Sequence, residues 1–170
     1  MTSKVKIIDN VLSEQMLHFC YSTLIGMPIW QLDMKSHSNS EYTIAGNTLF
    51  DKHTNIGDKG KGQLLATMIY ILIKEKATFL SDDLHRIHIG AKGALQDDVT
   101  HTDSDKETNT VLFYLNPTWK KSWGGQTIVD GEKIDYKPNR AVIYDARLPH
   151  GGLAPKGPHL RTYINYVVAK

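Results

Sequence analysis

Apolar and polar positions alternate differently on the two sides of residue 83. On the N-terminal side, two stretches carry helical spacing. Met16, Leu17, Phe19, Cys20 and Leu24 recur near the 3.6-residue period; Ser13 precedes them as an N-cap, and Gly26 with Pro28 closes the run. The second stretch is stronger. Leu64, Leu65, Met68, Ile69, Leu72, Ile73 and Ala77 form the i, i+3, i+4 series of an amphipathic helix over 63–80, expected to brace one face of a sheet. Short strands are predicted at 4–8 and 29–34. Residues 36–62 are rich in Ser, Asn, Gly, Thr and Lys, so they read as one long connection, either a substrate lid or a mobile surface loop.

From Leu84 onward the period becomes two. Arg86, His88 and Gly90 alternate with Ile87 and Ile89, and further strands are predicted at 110–115, 126–129, 133–136, 141–144 and 161–168. Asn116-Pro117, Asp130-Gly131 and Pro138-Asn139 punctuate them, and 149–152 reads as a turn-rich edge. Seven or eight short strands after two helices predict a mainly β fold with supporting helices, a barrel or jelly roll.

Composition narrows the setting. The 170 residues are enough for one domain with a real core, and 41% hydrophobic with 22% charged residues is ordinary for a globular protein. A formal net charge of +2 gives no electrostatic case for nucleic acid. No apolar run approaches the roughly 20 residues that a membrane span needs. The N-terminus lacks a signal-peptide core, and the one cysteine, Cys20, allows no intramolecular disulfide and reads as a buried helix residue. A reducing cytoplasm is the expected location.

The chemistry centres on His101-Thr102-Asp103. In an extended strand His101 and Asp103 share a face, so an imidazole nitrogen and a carboxylate oxygen can reach one metal ion. His150 is the best third ligand. Two histidines and a carboxylate leave three positions of an octahedral ion open, the ligand set of a non-haem Fe(II) oxygenase. Arg161 adds a permanent cation suited to the carboxylate of a co-substrate. Tyr163 and Asn165 share its face, and Asn165 can add a hydrogen bond to that carboxylate. Trp119 and Trp123 flank Gly124-Gly125 and read either as an aromatic rim that grips a peptide or as packing residues.

Read in order, His101-Thr-Asp103, the strand 110–116, Trp123-Gly-Gly-Gln, the run 138–150 ending in Leu-Pro-His150, and Arg161-Thr-Tyr-Ile-Asn165 resemble the 2-oxoglutarate- and Fe(II)-dependent oxygenases, specifically the prolyl-4-hydroxylase-like branch. The resemblance runs from Arg86 to the end. It implies a double-stranded β-helix (jelly roll) core at 83–170 braced by N-terminal α-helices, with 1–82 as helical support and a possible lid, all in one domain over 1–170. It implies Fe(II) on His101, Asp103 and His150, with 2-oxoglutarate as co-substrate and ascorbate as a further cofactor. Arg161 and Tyr114 would hold the co-substrate's far carboxylate, and His88 would lie near the co-substrate. The reaction implied is hydroxylation of a C–H bond in a prolyl or other peptidyl residue, consuming O2 and releasing succinate and CO2. A peptide or protein substrate would be the partner, with no membrane and no nucleic acid. In halogenating relatives the Asp103 position holds a small residue, so its carboxylate favours hydroxylation. Two other readings stand beside this one: a non-catalytic metal- and 2-oxoglutarate-binding sensor, and a zinc hydrolase, which would need a general base and would leave Arg161 and Tyr114 without a task.

Overall fold

The computed structural model describes residues 4–35, 37–54 and 60–170. Both helices form. Helix α1 (Glu14–Gly26) starts where Ser13 Oγ accepts the Met16 N–H at 3.2 Å, and it buries Leu17, Cys20 and Leu24. Helix α2 (Lys61–Lys76) buries Leu65, Ala66, Ile69, Tyr70 and Ile73 along one stripe. It ends before the predicted residue 80, because the chain leaves helical geometry at Ala77. A turn from Ala77 to Leu80, closed by a 2.9 Å bond, still buries Leu80, so the apolar pattern outruns the helix.

Among the described residues ten strands make two sheets. They are β1 (Val5–Asp9), β2 (Gln31–Met34), β3 (Ile44–Asp51), β4 (Leu84–Lys92), β5 (Thr108–Tyr114), β6 (Thr127–Val129), β7 (Glu132–Ile134), β8 (Arg140–Asp145), β9 (His150–Gly152) and β10 (Arg161–Ala169). The larger sheet has the order β1-β8-β5-β10-β4-β3-β2, the smaller β7-β6-β9, and the paired strands are antiparallel. Alternation sorts the larger sheet's side chains. Ile87, Ile89, Val111, Phe113, Ile143, Ile164, Tyr166 and Val168 pack with α1 and α2 in one core. From the opposite face, Leu112, Tyr114, Val142, Tyr144 and Tyr163 pack with Val129 and Ile134 of the smaller sheet in a second core. This is a mainly β jelly roll with helical support.

Two expectations need correction. The polar connection 36–62 is not one loop: its middle is strand β3, an inner strand between β4 and β2. Its period is obscured by Gly46, Asn47 and Thr48 and by a register shift between Thr48 and Phe50. Neighbouring strands satisfy its backbone whatever its side chains are, which is why composition misled. Ser36 and residues 55–59 of that stretch lie outside the described residues. Likewise, 149–152 is not just a turn-rich edge, since His150–Gly152 pairs with β6. The first 82 residues therefore supply three strands of the larger sheet as well as both helices.

Candidate metal and co-substrate site

A cavity of about 260 Å³ lies between the sheets. Its lining includes His101, Asp103 and His150 toward one end and Arg161 with Thr127 toward the other. His101 and Asp103 do not sit on a long strand. The chain is extended only enough for His101 to form an isolated antiparallel bridge with His150, with N–H to O distances of 3.0 and 2.8 Å. That bridge is what brings the third residue in, leaving the two imidazole rings 4.6 Å apart.

One nitrogen or oxygen from each of His101, Asp103 and His150 lies within 4.8 Å of the others. Both histidines turn the same ring atom away: His101 Nδ1 bonds Val99 O and His150 Nδ1 bonds Leu148 O, each at 2.9 Å. A backbone carbonyl on Nδ1 fixes the tautomer that leaves the Nε2 lone pair for a metal. Asp103 is heavily supported. Its Oδ2 accepts from Thr110 Oγ1 at 2.7 Å and Asn165 Nδ2 at 3.1 Å and lies 3.3 Å from His150 Nε2, while Oδ1 accepts from Arg86 Nη2 at 2.6 Å. Burial alone would raise the Asp103 carboxyl, but the His150 bond and the Arg86 and His150 charges hold it well below the usual carboxylate range. Burial alone would lower the His150 imidazole, but its bond to Asp103 and the Asp103 charge push it up.

At the other end Arg161 is 1% exposed. Its Nε donates to Gly125 O and its Nη2 to Thr127 Oγ1, each at 2.9 Å. The rings of Tyr114, Tyr136 and Tyr163 surround the guanidinium at 5.5, 5.5 and 4.9 Å. Gly125 has φ +74°, and a Cβ there would stand 3.0 Å from the Trp119 ring and 3.3 Å from Arg161 Cδ, so glycine is what lets the backbone carbonyl approach the guanidinium. Buried beside it, Lys92 pairs with Asp98, and burial draws the Lys92 ammonium down to about 8.

The other predicted residues fall in different places. Tyr114 is fully buried; its hydroxyl donates to Thr127 Oγ1 at 2.8 Å and does not line the cavity. Thr127 accepts from both Tyr114 and Arg161, which leaves its own proton to donate into the cavity. Asn165 lies on the cavity wall with its amide on Asp103, not beside Arg161. His88 also lines the cavity, opposite Asn165 in the sheet, and burial pulls its imidazole down to about 4, so it is neutral. Neither Trp119 nor Trp123 lines the cavity: Trp119 bonds Gly124 O at 3.0 Å and packs on the second core, and Trp123 stacks on His159 at 3.7 Å. Arg140 is tied to Asp9, and Arg147 to Asp145 and Glu107.

Sequence reasoning passed over Arg86 and Thr127. Alternation put Arg86 on the face of His88, but its partner Asp103 is 17 residues further on. Among the described residues, three buried polar atoms on the cavity lining, Arg86 Nε, Tyr144 Oη and Asn165 Oδ1, have no protein partner. Two donors and one acceptor left unmatched in one cavity mark a place for a polar ligand or water. Two imidazoles whose Nδ1 atoms are held by backbone carbonyls, a carboxylate and a buried guanidinium fit a divalent ion and a dicarboxylate bound together.

Fold and site thus define a jelly-roll protein whose cavity is lined by two histidines and an aspartate close enough to share one metal ion and by a buried guanidinium. The chain belongs to the 2OG-Fe(II) oxygenase superfamily, whose family model matches residues 83–167, half of its length. Solved structures agree on the fold. A prolyl hydroxylase from Trichoplax adhaerens, in complex with a hypoxia-inducible-factor peptide fragment, is similar with a TM-score of 0.73 at 16% identity, covering 99% of this chain and 84% of that one. A viral collagen prolyl hydroxylase from Paramecium Bursaria Chlorella virus-1, in its 2-oxoglutarate complex, has a TM-score of 0.67 at 16% identity, covering 99% and 98%. The carbocyclase SnoK of nogalamycin biosynthesis also reaches 0.67, at 12% identity, covering 96% and 78%. No curated protein matches the sequence. No helix among the described residues is long and apolar enough to cross a membrane.

Proposed function

We propose that this oxygenase hydroxylates a C–H bond of a prolyl or other peptidyl residue, with His101, Asp103 and His150 holding Fe(II), and Arg161 and Thr127 holding the far carboxylate of 2-oxoglutarate. Bound there, Fe(II) supplies the redox chemistry by which O2 gives one oxygen atom to 2-oxoglutarate, leaving succinate and CO2, and the other to the substrate C–H bond. The chain's own work is placement. The two Nδ1 contacts orient the imidazoles, and Thr110, Asn165 and Arg86 fix the plane of Asp103. Tyr114 acts on the co-substrate through Thr127, and the tyrosine rings around Arg161 keep its end of the cavity dry. Residues 1–170 work as a single domain in a reducing compartment, with ascorbate as an accessory. The peptidyl substrate is supported by the peptide bound to the Trichoplax neighbour. SnoK, on the same fold, shows why the fold alone does not choose a substrate.

One observation carries this reading: both histidines are locked with Nε2 available beside Asp103, in the cavity that ends on buried Arg161. The test is anaerobic reconstitution with Fe(II) and 2-oxoglutarate, followed by O2. Succinate should form, should stop when a chelator removes the metal, and should rise when a host peptide pool is added, with a one-oxygen mass gain on a peptide. Succinate without any metal would end the oxygenase reading; turnover coupled only to a small metabolite would end the peptidyl one. Omitting ascorbate tests its part.

A further inference from the structure

Arg161 shares its end of the cavity with a second buried cation. Lys92 stands directly opposite it in the β4–β10 register and is likewise fully buried. Like charges so placed repel. Asp98, on the cavity lining, forms an ion pair through Oδ2 with Lys92, and the same oxygen accepts the Gly152 N–H at 2.8 Å. A Cβ on Gly152 would stand 3.1 Å from Asp98 Oδ2 and 3.1 Å from Arg161 Nη1. Carboxylate and guanidinium therefore border one small space, left open by a residue without a side chain. We propose that Lys92 is a positioning residue that holds the Asp98 carboxylate as its own ion-pair partner, and so keeps the charge of Arg161 for the far carboxylate of the co-substrate. This rests on the co-substrate reading above.

The fold explains why a carboxylate stands so close to a pocket for an anion. Asp98 N donates to Gly152 O at 3.0 Å, and its side chain takes the Gly152 N–H in return. Asp98 thus fastens the end of β9 and extends the His101–His150 bridge. Its negative charge comes with that task. Two cations and one anion leave a single positive charge at this end, which suits one ligand carboxylate. With Lys92 removed, Asp98 and Arg161 would cancel, and the ligand would meet a repelling oxygen in a dry site where charges are weakly screened. Lys92 itself does not line the cavity, so it acts through Asp98 and not by touching the ligand.

The test measures 2-oxoglutarate binding to the full-length protein loaded with Co(II). Lys92→Met should weaken binding about 30-fold. On an Asp98→Asn background the same change should cost less than about threefold, because without the carboxylate burial and the Arg161 charge already discharge Lys92. The affinity for 2-oxobutanoate, which lacks the far carboxylate, and for Co(II) should change by less than about threefold in every variant.

Two results would overturn the proposal. A lysine that only supports the fold would weaken both 2-oxo acids together, and Asp98→Asn would not rescue it. A lysine that touches the co-substrate would cost as much without Asp98 as with it. Replacing both members of a buried pair is tolerated better than breaking it, so the double variant is expected to fold. Melting identifies any variant that does not; if Lys92→Met fails, Lys92→Gln, which keeps a donor for Asp98, carries the comparison. If the unaltered protein takes up Co(II) but binds 2-oxoglutarate no better than 2-oxobutanoate, the co-substrate reading falls and this one with it. If Arg161→Ala weakens 2-oxoglutarate while the Lys92 variants do not, this inference alone falls.

Discussion

The two faces of β10 are nine residues of one backbone with opposite chemistry. Ile164, Tyr166 and Val168 point into the helix-covered core, where all three are fully buried among hydrocarbon. Arg161, Tyr163 and Asn165 point into the cavity, which they line together with His88 and Leu112 of the neighbouring strands. The first face is satisfied by packing alone; even the Tyr166 hydroxyl finds the Ala66 carbonyl, at 2.8 Å. The second carries a buried cation, and two of the three unmatched polar atoms lie on its residues or on their β4 neighbours. A sheet can carry so costly a face because the other face supplies the burial that holds it flat.

If this division is right, substitutions on the two faces should separate stability from activity. The largest effect is expected from His101→Ala, which should lower Fe(II)- and 2-oxoglutarate-dependent succinate formation by about a thousandfold or more while moving the unfolding free energy by less than about 1 kcal/mol. Calorimetry and a turnover assay on one preparation check both halves. Next is Ile164→Ala, the reverse case. Loss of a fully buried side chain should cost about 3 kcal/mol of stability, with the rate per folded molecule little changed. A proportional fall in that rate would mean that the faces are coupled.

Arg161→Ala should raise the 2-oxoglutarate concentration needed for half-maximal turnover by about 100-fold, equivalent to about 2–3 kcal/mol for a charge-assisted pair. Metal binding should survive, which equilibrium titration with Co(II) can show. An unchanged requirement would remove Arg161 from the pocket.

The smallest effect lies outside both faces. The Asp9 carboxyl is drawn down to about 2, chiefly by its bond to Arg140, with Lys137 helping against burial. Its folded-state pKa is below its ordinary value of 3.8, so its contribution is complete above that value and is lost as the pH falls toward about 2. The pair is partly exposed, so on the order of 1 kcal/mol is expected. The stability gap between the unaltered protein and Asp9→Asn, measured by urea unfolding, should close between pH 5 and pH 2. A gap that stays constant would show that Asp9 acts by packing and not by charge.

Much of this was legible in the chain because it is local. Ser13 caps α1 through a residue three positions on. The alternation in 161–168 already separated Ile164 from Arg161, and His101, Asp103, His150 and Arg161 stand out by residue type, because few side chains hold a metal or a carboxylate. Strand β3 was hidden, since its place between two strands, not its Gly-Asn-Thr composition, makes it a strand. Asn165 was expected to share the face of Arg161 and to add a hydrogen bond to the same co-substrate carboxylate; that its amide nitrogen donates to Asp103 was not legible, because the two residues are 62 positions apart.

By itself, then, the sequence determined which side chains could do chemistry and which face of each strand they take, because both follow from residue type and a two-residue period. Only the tertiary structure decided which of them meet. The His101–His150 bridge spans 49 positions, the Arg86–Asp103 pair 17 and the Arg161–Thr127 bond 34. Strand order and the closing of one sheet over another set those encounters, and no periodicity in the chain encodes them.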